Sequence, residues 1–220
     1  MKDKQMLIAT AIAKASELAK GRAYFIGGYV RDKLMNMYHN YPRHKDKDID
    51  IEIYGIPEDE LKNVLESIDG VSVDLVGESF KVFKVKGYKI DVSLPRIEYK
   101  VKGKSYNSHK DFEVESSHLM SFYEACKRRD LTINAVLEDI ITGKIIDPYL
   151  GVSHIRNKVM IQTSSKFSED PVRVLRVMQF ISRFDEFTID DVLMEECRSI
   201  SWEGLSNERV FDELKKLILL

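Results

Sequence analysis

Two aspartates one residue apart, Asp48 and Asp50, offer a candidate metal-binding chemistry. Ile49, Ile51 and Ile53 alternate with acidic residues, so Asp48 to Tyr54 reads as a half-buried strand. Side chains at i and i+2 leave the same face of a strand. Both carboxylates can therefore converge on a divalent cation while the isoleucines anchor the opposite face in a core. Taken alone the pair is a weak signal. With 36 Asp and Glu among 220 residues, roughly six acidic-x-acidic triplets arise by chance. Asp46 and Glu52 lie on the same side, which leaves the pairing ambiguous, and a solvated strand face is the competing reading.

A second feature is Gly27-Gly28, placed between an apolar strand (Ala23 to Ile26) and a helix that begins near Val30. Glycines let a backbone approach a phosphate closely, and the helix that follows presents free N–H groups and the positive end of its dipole. Arg31 adds a planar fork for phosphate oxygens. A double glycine by itself is usually a turn. Beside a carboxylate pair holding Mg²⁺ or Mn²⁺, however, it provides what nucleotidyl transfer requires: activation of an attacking hydroxyl and neutralisation of departing pyrophosphate. Asp91, in Lys89-Ile90-Asp91-Val92, is a candidate third acid or a plain strand-end aspartate. Gly103-Lys104-Ser105 lacks the upstream glycine of a Walker loop, and no G-x-G-x-x-G occurs.

These residues need a scaffold, and the hydrophobic pattern predicts one. An amphipathic helix carries Leu7, Ile8, Ala11, Ile12, Ala15, Leu18 and Ala19, and a second helix after Pro57 carries Leu61, Val64, Leu65 and Ile68. Short strands are expected at Val71 to Val76, Lys81 to Val85 and Tyr88 to Val92, and a hairpin at Ala135 to Leu137 with Lys144 to Ile146. Pro95 to Ser117 has no periodicity and reads as a mobile loop or insertion. Beyond Phe167 the pattern is helical. The expected fold class is α+β: a mixed sheet flanked by helices over 1–150, then a small all-helical domain over 151–220.

Composition agrees with a folded chain of one domain and an appendage. Hydrophobic residues make up 44% and charged residues 32%, with 11 Gly and 5 Pro, which excludes disordered and collagenous classes. A formal charge of −2 leaves only local surfaces for nucleic acid. Cys126 and Cys197 have no C-x-x-C or His-rich context, so neither a disulfide framework nor a zinc site is indicated, and a reduced, cytoplasmic setting is expected. Lys14 interrupts the apolar run after Leu7, which argues against a signal peptide, and no run reaches the length of a membrane span.

Five ordered segments carry a resemblance. They are Gly27-Gly28-Tyr29-Val30-Arg31-Asp32, Lys47-Asp48-Ile49-Asp50, Arg128-Arg129-Asp130-Leu131-Thr132-Ile133-Asn134-Ala135, Glu169-Asp170-Pro171-Val172-Arg173-Val174-Leu175-Arg176, and Glu208-Arg209-Val210. In this order they resemble the motifs of the tRNA nucleotidyltransferase/poly(A) polymerase family, within the polymerase-beta-like nucleotidyltransferase superfamily. The resemblance implies a catalytic head followed by a helical neck. It implies that Gly27, Gly28 and Arg31 grip a triphosphate, that Asp48 and Asp50 hold the metals, and that Arg129 and Asp130 meet sugar and phosphate. Asn134 is expected to be structural. Asp170 and Arg173, three apart on a predicted helix, would read the edge of the incoming base, with Arg176 reaching the triphosphate or base. Without the other motifs, Asp170 and Arg173 read as an intrahelical salt bridge, and Lys127-Arg128-Arg129 as a solvated face.

The implied activity is addition of CMP or AMP from CTP or ATP to an RNA 3′ end, a tRNA first among acceptors, with Mg²⁺ or Mn²⁺. Lys100, Lys102, Lys104 and Lys110 are candidates for RNA phosphate contacts, or serve solubility alone. Poly(A) addition, another acceptor, and an inactive RNA- or nucleotide-binding module are the alternatives. The sequence departs from the family in the Tyr/Asn/His/Pro-rich stretch Met37 to His44 and in having Gln179 where many members carry arginine. No counterpart of the family's large C-terminal RNA-binding body occurs within the 220 residues, so a fragment or a minimal member is expected.

Overall fold

The computed structural model describes residues 2–42, 48–77, 81–100, 112–203 and 205–218. The first part runs α1 (Lys2–Leu18), β1 (Arg22–Phe25), α2 (Gly28–His39), β2 (Ile49–Tyr54), α3 (Glu58–Glu66), β3 (Val73–Val76), β4 (Val82–Val85), β5 (Ile90–Ser93), β6 (Arg96–Lys100), β7 (Phe112–Ser116), α4 (Phe122–Cys126), β8 (Leu137–Asp139) and β9 (Ile145–Ile146). Then follow α5 (Gly151–Arg156), β10 (Val159–Met160), α6 (Val172–Arg183), β11 (Thr188–Ile189), α7 (Asp191–Ser199) and α8 (Asn207–Ile218).

Seven strands form one mixed sheet in the order β3-β4-β5-β2-β1-β8-β9. Within this sheet, among the described residues, only β2 and β5 pair in parallel, and the crossover that parallel pairing requires is supplied by α3 and the β3–β4 hairpin. The isoleucine alternation of β2 works as expected. Ile49, Ile51 and Ile53 are buried among Phe83, Ile90 and Val92 from neighbouring strands and Ile12, Leu34 and Leu61 from the helices. The opposite face carries Asp50, Glu52 and Tyr54, and is covered in part by a smaller cluster in which Tyr24, Tyr54 and Phe122 meet edge-on or tilted.

Two local expectations change. In α1 the buried residues are Ala9, Ile12, Ala13 and Ser16, while Leu7 is 68% and Leu18 88% exposed. The helix has two adjacent apolar stripes, and only one can face the core. Ser16 is accepted there because its hydroxyl donates to the Ile12 carbonyl. The segment expected as a loop contains an antiparallel ribbon, β6 with β7, from Arg96↔Ser116 to Lys100↔Phe112. None of its described side chains is fully buried, so the hydrophobic alternation that marks a half-buried strand was never required. Lys102, Lys104 and Lys110, and the side chain of Lys100, lie outside the described residues.

After β9 the described residues add no strand to the sheet; the helices there are joined by one short parallel pair, β10 with β11. The core is nevertheless continuous. Phe167, Val177, Phe180, Phe184 and Leu193 belong to the same cluster as Ile12 and Ile51. The stretch beyond Met37 contributes to this seam: α2 runs on to His39, Asn40 turns with φ 57°, and the Tyr41 ring packs edge-on against Phe184.

The tightest joint is at the start of α5. A methyl group on Gly151 would lie 2.3 Å from the Thr132 carbonyl oxygen and 2.6 Å from Val136 Cγ2. Backbone cannot yield as a side-chain tip can. Gly151→Ala is expected to cost about 3 kcal/mol in urea unfolding through overpacking, whereas Gly143→Ala, with no neighbour in reach, is expected to show only the smaller strain of its left-handed backbone.

Candidate active site

The open face of β2 positions the acids. Asp50 projects from the strand and Asp48 stands exposed one residue ahead of it. Asp91 is the cross-strand partner of Asp50, and Lys84 on β4 is the partner of Asp91. Lys84 Nζ donates to both Asp91 oxygens, at 2.7 and 3.0 Å. Burial pushes the Asp50 carboxyl up; Arg129 opposes that shift, and the nearby charges of Asp91 and Asp48 add to it. Among the described residues, no three acidic, histidine or cysteine side chains converge closely enough to enclose an ion by themselves.

The glycine turn faces Asp50. Gly27 has φ 62°, the region a side chain rarely adopts, and a methyl there would lie 3.4 Å from Arg129 Nη1 and 3.6 Å from Asp50 Oδ2. The Ile26 N–H donates to the Asp50 carbonyl, which fixes the turn against β2. Helix α2 starts at Gly28. Arg31, on its first turn, is 4% exposed, with Nε donating to Asp32 at 2.8 Å and Nη1 to Asn134 at 2.7 Å.

Asn134 in turn donates to Asp130 at 2.8 Å, and Arg176 Nε donates to the other Asp130 oxygen at 2.7 Å. Burial alone would raise the Asp130 carboxyl, but the Arg176 charge and bonds from Asn134, Arg176 and the Leu131 N–H outweigh it and hold the group well below the usual carboxylate range. The backbone here is clamped as well: Thr132 N–H donates to the Ile161 carbonyl and Thr163 N–H to that of Asp130. Arg128 and Arg129 point toward Glu52, with Nη2 atoms 3.3 and 3.8 Å from Oε1.

Helix α6 brings Arg173, Arg176, Gln179 and Phe180 to the same space. Asp170 is not on this helix: Pro171 intervenes, and Asp170 is extended at φ −134°, ψ 103°, as expected of a residue preceding proline. No intrahelical pair forms. Asp170 accepts from Arg209 of α8 at 2.8 Å, and Arg173 donates to the carbonyls of Lys166 and Arg128. Gly27, Gly28, Arg31, Asp50, Arg129, Asp130, Asp170, Arg173 and Arg176 all line one cavity of about 770 Å³. Asp48 and Asp91 are not among its lining residues.

Residues 23–161 match the family model described as the poly A polymerase head domain. The chain belongs to the tRNA nucleotidyltransferase/poly(A) polymerase family. It is 37% identical over 199 residues to the Multifunctional CCA protein of Methylobacillus flagellatus, covering 89% of this chain and 44% of that one. It is 32% identical over 217 residues to the CCA-adding enzyme of Coxiella burnetii, covering 97% and 53%. The chain thus spans about half the length of these relatives. Among solved structures it is similar to a CCA-adding enzyme in complex with ATP, with TM-score 0.73 and 22% identity over 99% of this chain and 48% of that one. A Thermotoga maritima CCA-adding enzyme complexed with tRNA gives 0.72 and 23%, over 96% and 46%. These likenesses establish the fold, and no helix among the described residues is long and apolar enough to cross a membrane.

Three residues at the site were missed or left undecided by the sequence. Glu52 continues the acidic alternation of β2 but is buried, where it accepts the Tyr54 hydroxyl and faces the two arginines. Phe180 lies between guanidinium groups, with Arg31 Cζ 4.7 Å and Arg176 Cζ 5.5 Å from its centroid. Arg183 pairs with Asp32 at 2.9 Å. The period of β2 was the only signal for Glu52; the other two contacts depend on how α6 docks.

Because the Asp130 carboxyl is depressed in the folded state, its stabilisation is fully present above the unfolded value of about 3.9. It declines as pH falls toward the folded value. Asp130→Asn is expected to lower unfolding free energy at pH 7 by about 3 kcal/mol, since it leaves Arg176 without its partner. Urea melts should show the gap to the unsubstituted chain narrowing below about pH 4.

Proposed function

We propose that the chain is a template-independent RNA nucleotidyltransferase, transferring CMP or AMP from CTP or ATP to an RNA 3′ end, tRNA first, as in CCA addition. The observation that carries this is the gap between Gly27, Asp50 and Arg129: a close backbone approach, a carboxylate and a guanidinium meet within one substituent's width. A triphosphate can be gripped there from one side and a metal from the other.

The donor set suits a hard divalent cation, Mg²⁺ or Mn²⁺. Asp48 and Asp50 offer oxygen ligands only, and Asp50 bears the repulsion of neighbouring carboxylates that a cation relieves. Bound there, the ion would lower the pKa of the attacking hydroxyl and neutralise charge on the phosphates. In this reading the RNA 3′ hydroxyl attacks the α-phosphorus in line, its proton is released, and the bond to pyrophosphate breaks.

The remaining roles follow from charge and reach. Gly28 and the α2 amide groups cradle phosphate oxygens with Arg31, which Asp32, Asn134 and Phe180 keep in place. Arg129 faces the gap beside Asp50, while Asp130, committed to Arg176, sets that arginine's position. Asp170 would accept a hydrogen from the exocyclic amine shared by C and A, and Arg173 would donate to a ring acceptor. Each must exchange its present partner, Arg209 or a backbone carbonyl, for the base. Residues 151–220 then act as a base-reading unit on the catalytic head, 1–150.

The chain, incubated with Mg²⁺, each labelled triphosphate in turn, and tRNA ending at the discriminator base or at CC, is expected to extend the RNA with C and A only. Asp50→Asn should lower incorporation by about three orders of magnitude with an unchanged thermal melt. Absence of incorporation with every acceptor, together with unweakened triphosphate binding by Asp48→Ala, would refute the proposal. Gly27→Ala, strained by about 1–2 kcal/mol at its positive φ and intruding on the gap, is expected to weaken triphosphate affinity about tenfold in equilibrium binding.

A further inference from the structure

The open face of the sheet carries a row of charge across four strands. In register from β3 to β2 stand Asp74, Lys84, Asp91 and Asp50, one residue per strand, with neighbouring strands roughly 4.8 Å apart. Asp74 is occupied by Lys86 at 2.8 Å. Lys84 is the cation of this row, and it contacts Asp91 through both oxygens while its own side chain stays 52% exposed. Asp50 and Asp48 have no such ammonium at hydrogen-bond distance among the described residues.

The acids are thus unequal as ligands. A cation approaching Asp48 and Asp50 meets carboxylates with no bonded ammonium, Arg129 lying beside Asp50 across the gap, whereas one approaching Asp91 meets an ammonium already seated on both carboxylate oxygens. We propose that Lys84 is a built-in counter-ion that competes with divalent metal for Asp91, so that Asp91 joins the metal-binding acids only when Lys84 lets go. This rests on the reading of Asp48 and Asp50 as cation ligands and adds to it a residue that weakens the site rather than building it.

Two charges of the same sign cannot share one carboxylate at full strength, and a divalent ion feels the ammonium twice over. The exposure of Lys84 screens that repulsion and limits the effect to modest size. The same exposure makes its replacement harmless to the core. Lys84 does not touch the reacting atoms in this view; it tunes how readily the third acid is given to the metal.

Binding of Mn²⁺ alone to the 220-residue chain, followed by the electron paramagnetic resonance of free Mn²⁺, tests the idea without reference to activity. Lys84→Met is expected to bind Mn²⁺ on the order of fivefold more tightly than the unsubstituted chain. Lys84→Arg, which keeps the charge, should behave like the unsubstituted chain. In an Asp91→Asn background, Lys84→Met should gain nothing. If Lys84→Met binds Mn²⁺ equally or more weakly while Asp50→Asn weakens binding, the counter-ion role is overturned and the acid pair stands. If Asp50→Asn binds as tightly as the unsubstituted chain, the metal reading itself fails and takes this inference with it.

Discussion

Carboxylates taken out of water must be met by positive charge and hydrogen bonds, or the fold that buries them does not persist. Asp32 and Asp130 are 5% and 6% exposed, and the way they are met ties the protein together. Arg183 and Arg31 serve Asp32; Arg31 passes to Asn134; Asn134 and Arg176 serve Asp130. This chain of alternating donors and acceptors starts on α6, crosses to α2 at the edge of the glycine turn, runs through the Arg-Arg-Asp segment, and returns to α6. Each carboxylate is shared by groups from different elements, so none of those elements can shift alone.

The site depends on that constraint. Arg31 and Arg176 carry like charges toward the same cavity, which would repel them if nothing intervened. Phe180 supplies a π-face to both, and each guanidinium is also bonded to its own acid. Glu52 does the same for Arg128 and Arg129 on the sheet side. Positive charge is thus held in place around the cavity, and charges fixed in this way need no reorganisation to meet an anion. The pair proposed to read the base is held differently: Asp170 is bonded to Arg209, and Arg173 to the carbonyls of Lys166 and Arg128.

Much of this was written plainly in the chain. The period-two run of β2, the strand–glycine–helix unit at Gly27, the hairpin of β8 and β9 and the helical C-terminal region all appear at or within a few residues of where hydrophobic spacing put them. Two of the errors share one physical origin. The exposed ribbon β6–β7 has no buried face to leave a periodic imprint, and α1 has two apolar stripes between which only a packing partner can choose. The third difference is local and steric: Pro171 pushes the residue before it into an extended conformation, which takes Asp170 off the helix on which it was expected.

Local spacing by itself determined which residues share a strand face or a helix turn, because those relations follow from fixed backbone geometry. That was enough to set Asp48 and Asp50 on one strand face, to place glycines before a helix, and, with five motifs in order, to reach the family. Who answers whose charge was decided only by the tertiary structure. Asp170 meets Arg209 rather than Arg173, Asp130 meets Arg176, and Lys84 meets Asp91 across strands, because an ionic partner is chosen by distance in space and by exclusion of water. Neither quantity exists until the sheet and α6 have packed.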